Sequence, residues 1–139
     1  MGRMIYDTKT ALVLRTDLAA WQVANVAAFL AGGLMAGNPA MAGEPYRDAG
    51  GRLYCALVRE PVFVYGGSLD ELRRTHQRAL SRALRPAIYI EAMFRTTNDA
   101  DNRTAVAAAD AEALDFVGIG VHGPRKVIDK VVNKLKFLG

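Results

Sequence analysis

Arg15 and Asp17 close an apolar run and are followed, within two helical turns, by Trp21, Gln22 and Asn25 (RTDLAAWQVANVAAF, residues 15–29). These residue types suit a small-molecule site: an aromatic ring supplies a flat apolar wall, carboxamides supply directional donors and acceptors, and a charge pair fixes orientation. Glu91 ends a second apolar run (AIYIE, residues 87–91) and would bring a carboxylate to the same end of the fold. The candidate ligand-binding set is therefore Arg15, Asp17, Trp21, Gln22, Asn25 and Glu91. The same residues also admit a purely structural reading, in which the charge pair caps a helix and the tryptophan lies on its rim.

Other chemistry is mostly excluded by spacing. The run GIGVHG (residues 118–123) matches the G-x-G-x-x-G pattern of dinucleotide sites, but that unit needs an acidic residue about 20 positions further on. Only sixteen residues follow Gly123, so no nucleotide cofactor is expected. What remains there is a tight strand-to-helix turn, with an anion at Pro124, Arg125 and Lys126 as the alternative. His76 falls with Leu69, Leu72, Ala79, Leu80 and Ala83 on one helical face, which predicts a packed ring. Neither His76 nor His122 has a partner at metal spacing, and no metal site is expected. In NDADNR (residues 98–103) the carboxylates of Asp99 and Asp101 stand as in a calcium loop, yet Arg103 occupies a ligand position and Thr104 the glycine position. The segment reads instead as a capped helix start. Cys55, the single cysteine, sits among Leu53, Tyr54, Ala56 and Leu57 and reads as a small buried hydrophobe. No G-x-S-x-G and no P-loop occurs, and no cofactor is implied.

The elements that must hold these side chains follow from periodicity. Apolar and alternating runs predict strands at residues 10–16 (TALVLRT), 53–58 (LYCALV), 61–65 (PVFVY), 87–91 and 115–120 (DFVGIG). Helical patterns predict helices at about residues 19–36, with Asp17 able to cap the first, at 68–84 behind a Ser68/Glu71 capping box, at 99–113 behind Thr97 or Asn98, and from Pro124 to the chain end. The glycine- and proline-rich stretch between Gly37 and Gly51 reads as a long loop. Alternating strands and helices in 139 residues define one α/β domain, residues 1–139, with helices on both faces of a sheet.

Charge is unevenly spread. Arg125, Lys126, Lys130, Lys134 and Lys136 against Asp129 carry the whole net charge of +4, and Arg73, Arg74, Arg78, Arg82 and Arg85 form a second basic concentration. Both read as solvated helix faces, so nucleic acid is not expected as a partner. No charge occurs from Leu18 to Gly43. Gln22, Asn25, Gly32, Gly33 and the alanine content argue against a membrane span there. The expectation is a helix buried nearly all round, with one stripe of Val23, Ala27, Leu30 and Leu34 and another of Gln22, Asn25, Phe29 and Gly32. Ala28, Gly32 and Ala36 would let a second copy approach closely, which predicts a homodimer along this helix. Asp7 and Lys9 break any early apolar run, so no secretory signal is expected and a cytoplasmic setting is.

Two segments carry a family resemblance. KTALVLRTDLAAWQVANVAA, from Lys9, resembles the opening of type II peptidyl-tRNA hydrolases, typically a lysine, an apolar strand and V-R-x-D-L; FVGIGVHGPRKVIDKVVNKLKFLG (residues 116–139) is similar to their closing G-I-G-P, apolar-Asp-Lys-Val and L-K-L segments. Together, DLAAWQVANVAAFLA and NDADNR look like an uncharacterised bacterial branch of that superfamily, a domain of unknown function. The resemblance implies a three-layer α/β/α sandwich around a mixed, mainly parallel four-stranded sheet, often dimeric. It does not carry the chemistry. Where the hydrolases have lysines after D-L, this chain has Ala19, Gln22 and Ala24; their helix histidine corresponds to Ala31, their third-strand aspartate to Glu91, and their last-strand threonine to Asp115. The expectation is a small-ligand-binding or interaction module. The alternative is a divergent hydrolase of an ester or amide, peptidyl-tRNA included, with Glu91 or Asp115 as general base.

Overall fold

The structure is a computed structural model and describes residues 5–139. Its centre is β1 (Thr8–Arg15), whose six interior residues are all buried because both faces of the strand are covered. Around it a five-stranded mixed sheet runs in the order β5-β6-β1-β4-β7, built with β4 (Val62–Gly67), β5 (Ala87–Ile90), β6 (Phe116–Pro124) and β7 (Lys136–Phe137). β1 is parallel to β4 and antiparallel to β6, which is in turn antiparallel to β5.

Alternation along β1 splits the core in two. Leu12 and Leu14 point to α1 (Ala20–Gly37), where they meet Val26, Leu30 and Leu34. Ala11 and Val13 point the other way, to a layer formed by α2 (Leu69–Ser81) and α4 (Arg125–Val131), with Leu72, Ala79, Ile128 and Val131. α1 lies so close to the sheet because β6 presents no side chain beneath it at two positions. A Cβ on Gly118 would come within 2.5 Å of Val26, and one on Gly120 within 2.9 Å of Leu34. The glycines of GIGVHG thus serve helix packing inside a strand, rather than a turn.

Helix starts follow their local chemistry. Ser68 Oγ accepts from the Glu71 amide at 3.2 Å and Glu71 Oε1 accepts from the Ser68 amide at 3.1 Å, closing the expected box. Asn98 Oδ1 accepts the Asp101 amide at 2.8 Å and caps α3 (Asp99–Ala107). α1 departs from expectation: Gln22 Oε1 accepts the Ala19 amide at 2.9 Å, and Asp17 takes no part in the cap.

Several other expectations are corrected. The sheet has five strands rather than four, and one of its four adjacent pairings is parallel rather than most of them, because β6 inserts antiparallel between β1 and β5. Residues 53–58 do not join it. β3 (Leu53–Tyr54) instead pairs with β2 (Tyr46–Arg47) in an exposed hairpin within the stretch read as loop, its turn tied by Asp48. Cys55 at its base is exposed, not buried. The C-terminal helix ends at Val131; Lys134 takes a positive φ of 70°, and the chain returns as β7 beside β4. α1 is buried along one stripe only, leaving Trp21 and Phe29 well exposed. Its length and mean hydropathy of 1.2 would suffice for a membrane span, but Val26, Leu30 and Leu34 are committed to the sheet.

Candidate functional site

β1, β4 and β5 run the same way, so their carboxyl ends collect at one end of the sheet, the position at which open α/β sheets form ligand crevices. Arg15 ends β1 there, Glu91 follows β5, and Asp115 precedes β6. The three are drawn together, with the Glu91 amide donating to the Asp115 carbonyl at 2.9 Å. Arg15 uses its fork twice. Nε and Nη2 donate to the two carboxylate oxygens of Asp17 at 2.9 and 2.7 Å, and Nη1 donates to Asp115 at 3.0 Å. The Arg15 guanidinium holds the Asp17 carboxyl below its ordinary range, and Asp17 in return raises Arg15. Glu91 adds to the negative field around Arg15 and pairs with Arg95 at 3.6 Å.

Every carboxylate of this cluster is ion-paired, although Arg15 and Arg95 face three of them, Asp17, Glu91 and Asp115. A carboxylate bound to a guanidinium makes a poor general base, since the pairing stabilises the form that has already lost its proton. Among the described residues no serine, threonine or cysteine hydrogen-bonds to the side chain of Glu91 or Asp115.

Beside the cluster lies a cleft of about 440 Å³, lined among others by Trp21, Asn25, Phe29, Tyr89, Phe94, Thr96 and Asn102. α1 supplies one wall. The short turn Glu91–Arg95 and the start of α3 supply the other. The aromatic rings touch in sequence: Trp21 meets Phe94 edge-on at 5.8 Å, Phe94 lies 5.3 Å from Tyr89, and Tyr89 lies 5.7 Å from Phe29. Asn25 Nδ2 donates to the Tyr89 hydroxyl at 3.1 Å, which itself donates to the Met93 carbonyl at 3.4 Å. Burial raises the Tyr89 hydroxyl, with the Asn25 contact opposing, so it remains a neutral donor. Thr96 donates to the Met93 carbonyl and contacts Asn102, which fixes the α3 side of the mouth.

The predicted set therefore divides. Trp21 and Asn25 line the cleft, Gln22 is spent on the cap of α1, Asp17 and Glu91 are ion-paired outside the lining, and Arg15 faces a separate cleft of about 730 Å³ with Thr16, Ser68 and Lys136. Sequence reasoning missed Tyr89, Phe94, Thr96 and Asn102. Tyr89 had a legible signal, an aromatic in the AIYIE run two positions before the expected carboxylate. Lys9, the lysine of the resemblance, is held elsewhere, on Asp129 at 2.7 Å and the Tyr65 hydroxyl at 3.1 Å, over the Phe63 ring.

Fold and cleft together define a small three-layer α/β domain with an aromatic, amide-bearing crevice at the carboxyl ends of its strands. A family model described as a protein of unknown function, DUF2000, matches residues 8–138, and the chain belongs to that family. It is similar to the solved structure of a protein of unknown function from Agrobacterium tumefaciens, with 39% identity and a TM-score of 0.93 over 97% of this chain and 100% of that one. A search of curated proteins finds no match.

Proposed function

We propose that this protein is a non-hydrolytic small-ligand-binding module of peptidyl-tRNA hydrolase-like ancestry, its ligand a flat, uncharged ring bearing an amide or amine. The observation that carries this reading is the aromatic cleft with Asn25 hydrogen-bonded to Tyr89 at its floor. Its volume of about 440 Å³ falls in the range of small-molecule pockets, and its mixture of rings with a few convergent polar groups is the composition such pockets have. Carboxamides favour a neutral partner with donors and acceptors of its own, and Asp99, the carboxylate on the lining, is paired with Arg103, while Arg15 ties the end of β1 to Asp115 ahead of β6. A cytoplasmic setting and a homodimer formed through the exposed face of α1 belong to the same reading. That face carries no charge, so two copies would meet without desolvating one.

The test is a thermal-shift series with nicotinamide, benzamide and adenosine on the wild type and on Asn25→Ala. A rise in Tm with at least one probe, lost in Asn25→Ala, supports the reading; no rise with any contradicts it. The divergent-hydrolase alternative, with Glu91 or Asp115 as base, draws on the presence of both carboxylates at the crevice. Turnover of peptidyl-tRNA that falls in Glu91→Ala or Asp115→Ala would establish it in place of the binding module.

A further inference from the structure

At the opposite end of the sheet a second polar cluster is built into the core. Glu60, its side chain 1% exposed, precedes β4 and accepts from Thr8 Oγ1 at 2.7 Å and Thr10 Oγ1 at 3.3 Å. His122, on β6 opposite Thr10, brings Nδ1 to 2.8 Å from Thr10 Oγ1 and 3.5 Å from Glu60 Oε1. The hydrogen-bond directions are constrained. Thr10 has one hydroxyl proton, and given to Nδ1, at 2.8 Å the shorter of its two contacts, it leaves the ring's own proton on Nε2, the nitrogen that meets whatever stands beyond the ring.

What stands beyond it is a cleft of about 410 Å³ lined by His122, Arg85, Asn38 and the last turn of α1. The carbonyl end of a helix repels anions, but here Asn38 blunts it: its side chain donates to the Leu34 carbonyl at 2.8 Å and its amide to Met35 at 3.3 Å. The charged groups around the ring are then Glu60 behind it, Arg59 at 4.0 Å from Glu60, and exposed Arg85 in front.

We propose that this cleft is a binding site for a small carboxylate or phosphate, gripped by the Arg85 guanidinium and by His122 Nε2–H, with Thr10 and Glu60 fixing the ring. It is separate from the aromatic crevice and does not depend on it. A planar neutral ligand at Trp21 and a small anion at His122 would occupy opposite ends of the sheet.

The two histidines make the test simple, because long-range ¹H–¹⁵N NMR resolves both imidazoles. The protein is titrated at constant ionic strength with acetate and, separately, inorganic phosphate, up to about 50 mM, where a millimolar Kd saturates. The site predicts an Nε2-protonated His122 whose signals move saturably with at least one anion, while His76 stays still and chloride alone has no effect. Acetate alone would identify a carboxylate site, phosphate alone a phosphate site, and both a general oxyanion site. Arg85→Ala, at an exposed position that the fold does not need, is expected to weaken binding about tenfold or more. Signals of His122 that ignore both anions, or that respond equally in Arg85→Ala, would overturn the proposal. An Nε2 without a proton would do the same.

Discussion

Trp21 and Asn25 stand four residues apart on a helix, so they share a face and reach the same cleft. That much was readable from spacing. Arg15 and Asp17 were equally visible, but their bidentate contact turns them inward on each other, and only the fold places Asp115 within 3.0 Å as a second carboxylate on the same guanidinium. Tyr89 and Phe94 come from a strand and a short turn far along the chain, and no local pattern joins them to Trp21. His76 behaves as its helical face predicts, stacked on Phe116 at 4.9 Å. Burial lowers its affinity for a proton, with Glu112 opposing weakly, so its folded pKa lies below the ordinary 6.5. The unfolded chain then binds the proton more readily, and the stability His76 contributes is present above 6.5 and lost as pH falls through the folded value. Melting curves from about pH 7.5 to about pH 5 should show a larger fall in Tm for the wild type than for His76→Gln. Parallel curves would refute this.

At the scale of elements, β6 is the case where a motif meant something other than its match. Gly118 and Gly120 alternate on the face under α1, and the crowding around them makes Gly118→Ala an overpacking change. It should cost about 1–3 kcal/mol, measured by denaturant unfolding, and a neutral result would mean that α1 floats free of the strand. Ser68→Ala removes one half of the capping box and should cost about 1 kcal/mol, with Tm falling accordingly. Long periodic elements such as β1, α1 and α2 were legible because each offers several residues to a buried face. β7 was not, since two residues carry no periodicity and its pairing depends on the turn at Lys134. Nor was the β2–β3 hairpin, whose alternation resembles a sheet strand although Leu53 and Tyr54 remain exposed.

At the scale of the molecule, the two outer layers differ in character. The α2 and α4 side gathers Arg78, Arg82, Lys126 and Lys130 around one groove, while the α1 side presents exposed Ala28, Gly32 and Ala36 with no charge between Leu18 and Gly43. Self-association should therefore use α1, and it should be nearly independent of salt because no ion pair forms across it. Light scattering at micromolar concentration should give a dimer mass at low and high salt alike. A monomer under both conditions would remove the homodimer from this account.

Trp21 is the single tryptophan and stands at the mouth of the aromatic cleft, so its fluorescence reports directly on whether a neutral planar molecule enters there. Titration of the wild type with nicotinamide, benzamide and adenosine, excited at the red edge of the indole band, is the most direct test of the binding-module reading. A saturable change in Trp21 emission with at least one probe, abolished in Asn25→Ala, is the predicted result. Emission that stays constant with all three, or that changes equally in Asn25→Ala, would contradict it.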